Sequence, residues 1–136
     1  MEKTKNSCYT YFAIKGNFNP DEITEILELT PSRCWKIGDK RPVTKSFYDF
    51  ALWEYGQCDL YDVITENQMV NTIVNLKPKI SLLKDIKMKY GVSFVLEVVP
   101  KLYINEPTPA LAPSREIIKF CYETETDIDI DLYLFK

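Results

Sequence analysis

The sequence contains no histidine among its 136 residues, and this absence excludes several common enzyme mechanisms. Without an imidazole there is no Ser-His or Cys-His nucleophilic pair, no histidine-ligated zinc and no histidine proton relay. Glycine is scarce, with 4 residues, and they form neither a G-x-G-x-x-G loop nor a Walker loop for phosphate. The composition favours a protein that is not an enzyme and needs no cofactor or metal. The weak catalytic candidate is the thiol of Cys34, which has Arg33 and Lys36 nearby in the sequence.

Long apolar runs and closely paired cysteines are missing too. No stretch approaches the roughly 18 apolar residues of a membrane span, and residues 1–7 are polar, unlike a signal peptide. The four cysteines are far apart in the sequence: Cys8, Cys34, Cys58 and Cys121. We therefore expect reduced, mostly buried thiols in a cytoplasmic protein that does not bind membranes.

Composition indicates one globular domain over residues 1–136, with residues 1–7 as a flexible N-terminal arm. The chain is 46% hydrophobic and 27% charged, which is enough to form one core without disulfides. Its 17 Lys and Arg against 20 Asp and Glu give a net charge of −3. A general attraction to nucleic acid or anionic lipid is therefore not expected.

The pattern of apolar residues alternates between the strand period and the helix period. The clearest helix has Asn19 as its N-cap, Pro20 in the first position and Glu22 as in a capping box, and Thr30-Pro31 is expected to end it. The other elements follow in chain order: strands at 8–16, 31–38 and 47–55, two helices within 60–91 separated by Pro78, a strand at 92–104, a helix opened by Pro113 and a strand at 126–135. Pro100 is expected at a sheet edge or a bulge.

This order, β-α-β-β-α-α-β-α-β, predicts an α+β fold. Single-sided helices and alternating strands favour a mainly antiparallel sheet with the helices packed on one face.

Several short motifs, in this order, resemble those of a bacterial family catalogued as a domain of unknown function, DUF4279. They are Y-F-A-I-K-G, N-P-D-E-I-T-E-I-L-E-L-T-P, K-I-G-D, A-L-W-E-Y and D-I-D-L-Y. The resemblance spans Tyr9 to Tyr133 and implies a small stand-alone α+β domain, with no established activity, cofactor or catalytic residue. Some small cytosolic bacterial domains of this kind are immunity proteins that block a toxin, and this is an analogy.

Three aspartates, Asp127, Asp129 and Asp131, alternate along the last predicted strand. On one strand face they would lie about 7 Å apart. A solvated, edge-protecting face and a protein-docking surface are both open interpretations. A metal site is disfavoured because neighbours along a straight strand diverge, whereas cation ligands must converge.

Aromatic residues concentrate in two neighbouring segments: Trp35, Tyr48, Phe50, Trp53 and Tyr55. Trp53 and Tyr55 share a strand face, and Tyr48 and Phe50 share the other. One face is expected in the core, and the second is either covered by a helix or exposed to a partner.

Charge is segregated along the chain between these aromatic residues. Residues 33–45 hold five Lys or Arg against one Asp, whereas residues 46–66 hold five acidic residues and no basic one. A basic, aromatic stretch is compatible with nucleic-acid stacking, but the acidic stretch beside it would repel phosphate.

We therefore predict a protein-binding domain, monomeric or dimeric, that does not bind nucleic acid. The most specific form is an immunity or antitoxin-like inhibitor of a basic toxin domain. The predicted partner-binding residues are Trp53, Tyr55, Glu54, Asp59, Asp62, Asp127, Asp129 and Asp131. The alternatives are a small-ligand-binding domain with an aromatic-lined pocket and a housekeeping domain without catalysis.

Overall fold

The computed structural model describes residues 5–58 and 65–136. Its elements are β1 (Ser7–Gly16), α1 (Pro20–Leu27), β2 (Arg33–Trp35), β3 (Ala51–Cys58), α2 (Thr65–Ile73), a 3-10 turn (Lys77–Lys79), α3 (Ile80–Tyr90), β4 (Ser93–Tyr103), α4 (Arg115–Thr124), β5 (Thr126–Ile130) and β6 (Tyr133–Phe135). The α+β class is confirmed. The order also agrees with the prediction, except that the last predicted strand is divided into β5 and β6.

All six strands form one sheet in the order β2-β3-β1-β4-β5, and β6 continues beside β4 beyond the end of β5. The pairs β2 with β3, β3 with β1, and β1 with β4 are antiparallel. Strands β5 and β6 are parallel to β4, because α4 carries the chain back across the sheet before β5 begins. The sheet is therefore mixed but mostly antiparallel, as predicted.

The two sides of the sheet differ in chemistry because side chains alternate along each strand. The side packed against the helices, here called the helix face, carries buried apolar residues from β1, β3 and β4: Cys8, Phe12, Ile14, Ala51, Trp53, Phe94, Leu96 and Val98. The helices contribute Ile23, Leu27, Met69, Ile73, Leu83, Ile86, Ile117 and Phe120 to the same core. The other side, here called the open face, carries Tyr9, Tyr11, Lys15, Leu52, Glu54, Val95, Glu97, Asp127 and Asp129.

Helix ends follow their local sequence, with three corrections. Asn19 caps α1 as predicted, but the helix ends at Leu27, with Glu28 as a left-handed C-cap, before Thr30-Pro31. The carboxylate of Glu22, which was expected in a capping box, accepts a hydrogen bond from the Tyr90 hydroxyl. Helix α4 is capped by Ser114, whose hydroxyl accepts from the backbone of α4, and not opened by Pro113.

Strand boundaries also differ from the expectation at two places. Strand β3 begins at Ala51 instead of Phe47, because residues 47–50 fold back towards β2. Pro100 lies within a central strand and not at an edge. Strand β4 pairs with β5 up to Val98 and with β6 from Lys101 onwards, and Pro100 lies in the gap between these two pairings. A residue without an N–H is tolerated at such a break in the pairing.

The start of β1 is fixed by side-chain hydrogen bonds. Asn6 is buried, and its side chain donates to the Pro107 carbonyl and accepts from the Tyr103 amide. Ser7 already belongs to β1. The arm that we expected at residues 1–7 therefore does not include Asn6 and Ser7.

A buried polar network fastens α2 to the sheet where the β1 and β3 register shifts. The Gln68 amide donates to the Cys8 carbonyl at 2.6 Å, and the Thr72 hydroxyl donates to the Gly56 carbonyl at 2.8 Å. Gly56 has φ +72°, and a Cβ there would lie 2.6 Å from the Thr72 carbonyl oxygen. The close approach of helix and strand therefore requires glycine at this position.

We predict that Gly56→Ala lowers the free energy of unfolding by about 2 kcal/mol or more, because backbone strain and a clash with α2 add together. Gly38→Ala is the matched control, since Gly38 also has positive φ but a Cβ there would meet no atom of the described residues within 4 Å. Urea denaturation of both variants measures the difference. Equal losses in the two variants would contradict the role of the close approach.

Candidate functional site

The open face brings together carboxylates that are distant in the sequence. Glu97 of β4 and Asp129 of β5 are direct partners in the parallel register, and their side chains are hydrogen-bonded. Two carboxyl groups form such a bond only when one of them is protonated. Asp127 lies on the same side of β5, and the charge of Asp131 also acts on Glu97.

Burial, together with the neighbouring carboxylates, raises the pKa of Glu97 from 4.5 to about 7. Burial is the largest cause, followed by the hydrogen bond and the negative charge of Asp129, while Lys15 acts in the opposite direction. Near neutral pH Glu97 is therefore partly protonated.

Tyrosines surround these carboxylates. Tyr11 of β1 lies opposite Glu97, and burial, with the negative charges of Glu54 and Glu97, raises the pKa of Tyr11 to about 12. Tyr9 stacks on Tyr11 with ring centroids 6.3 Å apart. The Tyr133 hydroxyl donates to Asp131 at 3.3 Å, and the negative charge of Asp131 raises the pKa of Tyr133. The hydroxyl groups of Tyr11 and Tyr133 therefore remain protonated donors at neutral pH.

A partly exposed ion pair lies at the β2 side of the open face. The Arg33 guanidinium is 2.6 Å from the Glu54 carboxylate, and Glu54 is only 3% exposed. The hydrogen bond to Glu54 is also the largest cause of the raised pKa of Arg33. Glu54 therefore already has a charged partner within the chain.

The aromatic residues around β2 pack against each other. Trp35 stacks on Tyr48 with centroids 3.7 Å apart, and its indole N–H donates to the Phe50 carbonyl. Arg33 lies over the Trp35 ring and Arg41 over the Tyr48 ring, at 5.1 and 4.5 Å. This cation–aromatic stack fixes the segment between β2 and β3, which accounts for much of the aromatic and basic sequence there.

Comparison with known protein families identifies the chain. Residues 6–135 match the family model of the domain of unknown function DUF4279. The chain belongs to the DUF4279 family. No curated protein and no solved structure matches it significantly. In the part of this DUF4279 chain that the structure describes, no helix is long and apolar enough to cross a bilayer.

The described partner-binding residues that we predicted for this DUF4279 domain lie on different sides of the sheet. Trp53 is 0% exposed and donates its indole N–H to the Thr24 hydroxyl at 3.0 Å, so it has no free surface for a partner. Tyr55 shares its face, stacks on Trp53 and is partly buried. The core interpretation of this aromatic face is therefore the one that the structure supports.

The predicted acidic residues have three different positions. Glu54 is buried on the open face, whereas Asp127, Asp129 and Asp131 are exposed. Asp59 and Asp62 lie outside the described residues. Among the described members of the predicted set, the open face carries Glu54 and the three aspartates.

Sequence analysis missed Glu97, Tyr9 and Tyr11 as site residues. The alternation of β1 marks Tyr9 and Tyr11 as facing away from Cys8 and Phe12. Glu97 stands alone in an apolar run, and only the pairing of β4 with β5 brings it to Asp129.

Two of the three cysteines whose side chains the structure describes are buried, which agrees with the expectation of mostly buried thiols. They are Cys8 and Cys121, and burial raises the pKa of Cys121 to about 11. Cys34 is exposed. The partial burial of its thiol is still the largest cause of its raised pKa, followed by the negative charges of Asp21 and Asp39. The expectation that nearby Arg33 favours a Cys34 thiolate is wrong, because Arg33 points to the opposite side of β2 and pairs with Glu54.

A surface groove with a volume of about 280 Å³ lies between α3 and α4. It is lined by Lys84, Lys87, Met88, Glu123, Thr124 and Glu125. It contains none of the five clustered aromatic residues, so it is not the aromatic-lined pocket that we considered. Within residues 5–58 and 65–136, no group of three His, Cys, Asp or Glu side chains is placed to hold a metal ion.

We predict that Glu97→Gln stabilises the protein at alkaline pH. Because the folded-state pKa of Glu97 is raised to about 7 from 4.5, its contribution to stability is complete below about pH 4.5 and is lost as pH rises through about 7. Glutamine remains neutral, so the free energy of unfolding near pH 8 should increase by roughly 1 kcal/mol after solvent screening is considered. Urea denaturation at about pH 5 and about pH 8 measures this change.

Glu25→Gln on the exposed side of α1 is the control for this experiment, and it should leave the pH dependence unchanged. A Glu97→Gln protein with the pH dependence of the wild type would show that Glu97 titrates normally.

Proposed function

We propose that this DUF4279 domain binds another protein through the open face of its sheet, and that the partner surface is basic. The supporting observation is that one side of the sheet is packed with helices while the other presents carboxylates and tyrosines to solvent. The inhibitor of a basic toxin domain, as in immunity proteins, is the specific form that we propose. Its mechanism is occlusion of the partner's active surface.

Charge crowding on the open face supports a cationic partner. Burial and the neighbouring charges of Asp129 and Asp131 raise the pKa of Glu97, so a negative charge at this position is costly. A Lys or Arg side chain placed among them would replace the proton and relieve the repulsion. Complementary charge also accelerates association with a basic protein.

Aromatic side chains on the same face provide candidate anchors. Tyr9 is partly buried and Tyr133 is 47% exposed, and each presents a ring together with a hydroxyl group. Tyrosine is enriched at interfaces because its ring buries area while its hydroxyl finds a polar partner. Tyr9 and Tyr133 thus take the anchor role that we first assigned to Trp53 and Tyr55.

The experiment is affinity capture of the tagged domain from a lysate of its source cells at low and high salt, followed by affinity measurement with the purified partner. We predict that Asp129→Lys weakens partner binding at least about tenfold, because it reverses a charge in the centre of the carboxylates. Binding should also weaken as salt increases.

Asp85→Lys is the matched control, because it makes the same charge change at an exposed position of α3. Equal effects of the two substitutions would mean that only net charge matters. Full binding by Asp129→Lys would contradict the proposed face.

A further inference from the structure

We infer that the outer edge of β5 accepts an extended segment of the partner as an added strand, with basic residues at alternate positions. This inference rests on the proposed function, since it assumes a basic protein partner, and it specifies how part of that partner docks. Strand addition uses backbone hydrogen bonds for affinity and alternate side chains for specificity.

The outer edge of β5 has backbone groups that face away from the sheet and have no strand partner within residues 5–58 and 65–136. Among the described strands, β5 pairs only with β4. The Asp131 amide donates to the Val98 carbonyl of β4 at 2.9 Å. Because backbone groups alternate in direction along a strand, the amides of Asp127 and Asp129 also face β4, and those of Ile128 and Ile130 face away from the sheet. Ile128 and Ile130 thus offer two N–H and two C=O groups to an added strand.

The side chains along this edge define the chemistry of the added strand. Asp127, Asp129 and Asp131 are all exposed towards the open-face side. On the other side, apolar side chains remain exposed: Ile130 at 39%, Leu132 at 45% and Leu134 at 66%. A complementary segment therefore carries Lys or Arg on one side and apolar residues on the other.

A second copy of this chain fits the edge poorly. Pairing two β5 strands would place aspartates of one copy beside aspartates of the other, and like charges across strands are destabilising. The opposite sheet edge, β2, is only three residues long, and its Arg33 is already paired with Glu54. Charge complementarity therefore favours a different protein with a basic strand.

The probe for this inference is a synthetic peptide of about ten residues in which Lys and Val alternate. Its control replaces every Lys with Glu. We expect the Lys peptide to bind the full chain and to slow amide hydrogen exchange at Ile128 and Ile130. The Asp129 amide should not change, because it already faces β4. NMR on the wild-type protein measures this alternate-residue pattern of protection. The measurement therefore does not depend on whether a variant folds.

Ile130→Pro tests the edge by removing one outward N–H group, which β4 does not use. We expect at least about tenfold weaker peptide binding. Ile130→Ala retains the N–H, so it should bind more tightly than Ile130→Pro. Any of three results would overturn the inference. The Lys peptide could fail to bind, it could bind the wild type and Ile130→Pro equally well, or the Glu peptide could bind as tightly as the Lys peptide. Concentration-dependent dimers that Ile130→Pro abolishes would assign the edge to a second copy and would also overturn it.

Binding measurements with the captured partner distinguish a failure of this inference from a failure of the proposed function. If Asp129→Lys weakens partner binding but Ile130→Pro does not, the open face stands and strand addition fails. If neither substitution weakens binding, both fail.

Discussion

Strand β1 pairs on both sides, with β3 and β4, and its alternation determines which side of the sheet is apolar. Phe12 faces the helices and contacts Phe94 and Phe120, with ring centroids 5.4 and 6.1 Å away. Tyr9 and Tyr11 face the opposite way. A register slip of one residue would bury these tyrosines and expose Phe12, so the apolar helix face strongly specifies the register.

The open face is a consequence of the same register. Once β1 is fixed against β4, Tyr11 lies beside Glu97, and the parallel pairing of β5 places Asp129 on the other side of Glu97. The carboxylates then share one small area at the edge of the sheet, where the pKa of Glu97 rises. The packing of the core thus creates a charged surface that a cation would neutralise.

Local sequence predicted the elements better than the faces. The Asn19-Pro20 cap of α1 follows from the backbone preferences of single residues, and the structure confirms it. The alternation around Trp53 predicted two faces but could not say which one the helices cover, because that depends on packing from distant segments. Glu97 and Asp129 come from strands separated by α4, so only the tertiary pairing reveals their contact.

The proposed function requires that a partner binds the open face and not the helices. Hydroxyl-radical footprinting of the domain with and without its captured partner tests this claim directly. Tyr133 lies on the open face, and Tyr122, which is 82% exposed on α4, is an internal reference on the other side. We predict that the partner protects Tyr9 and Tyr133 from oxidation and leaves Tyr122 unchanged. Protection of Tyr122 with no protection of Tyr133 would contradict the account.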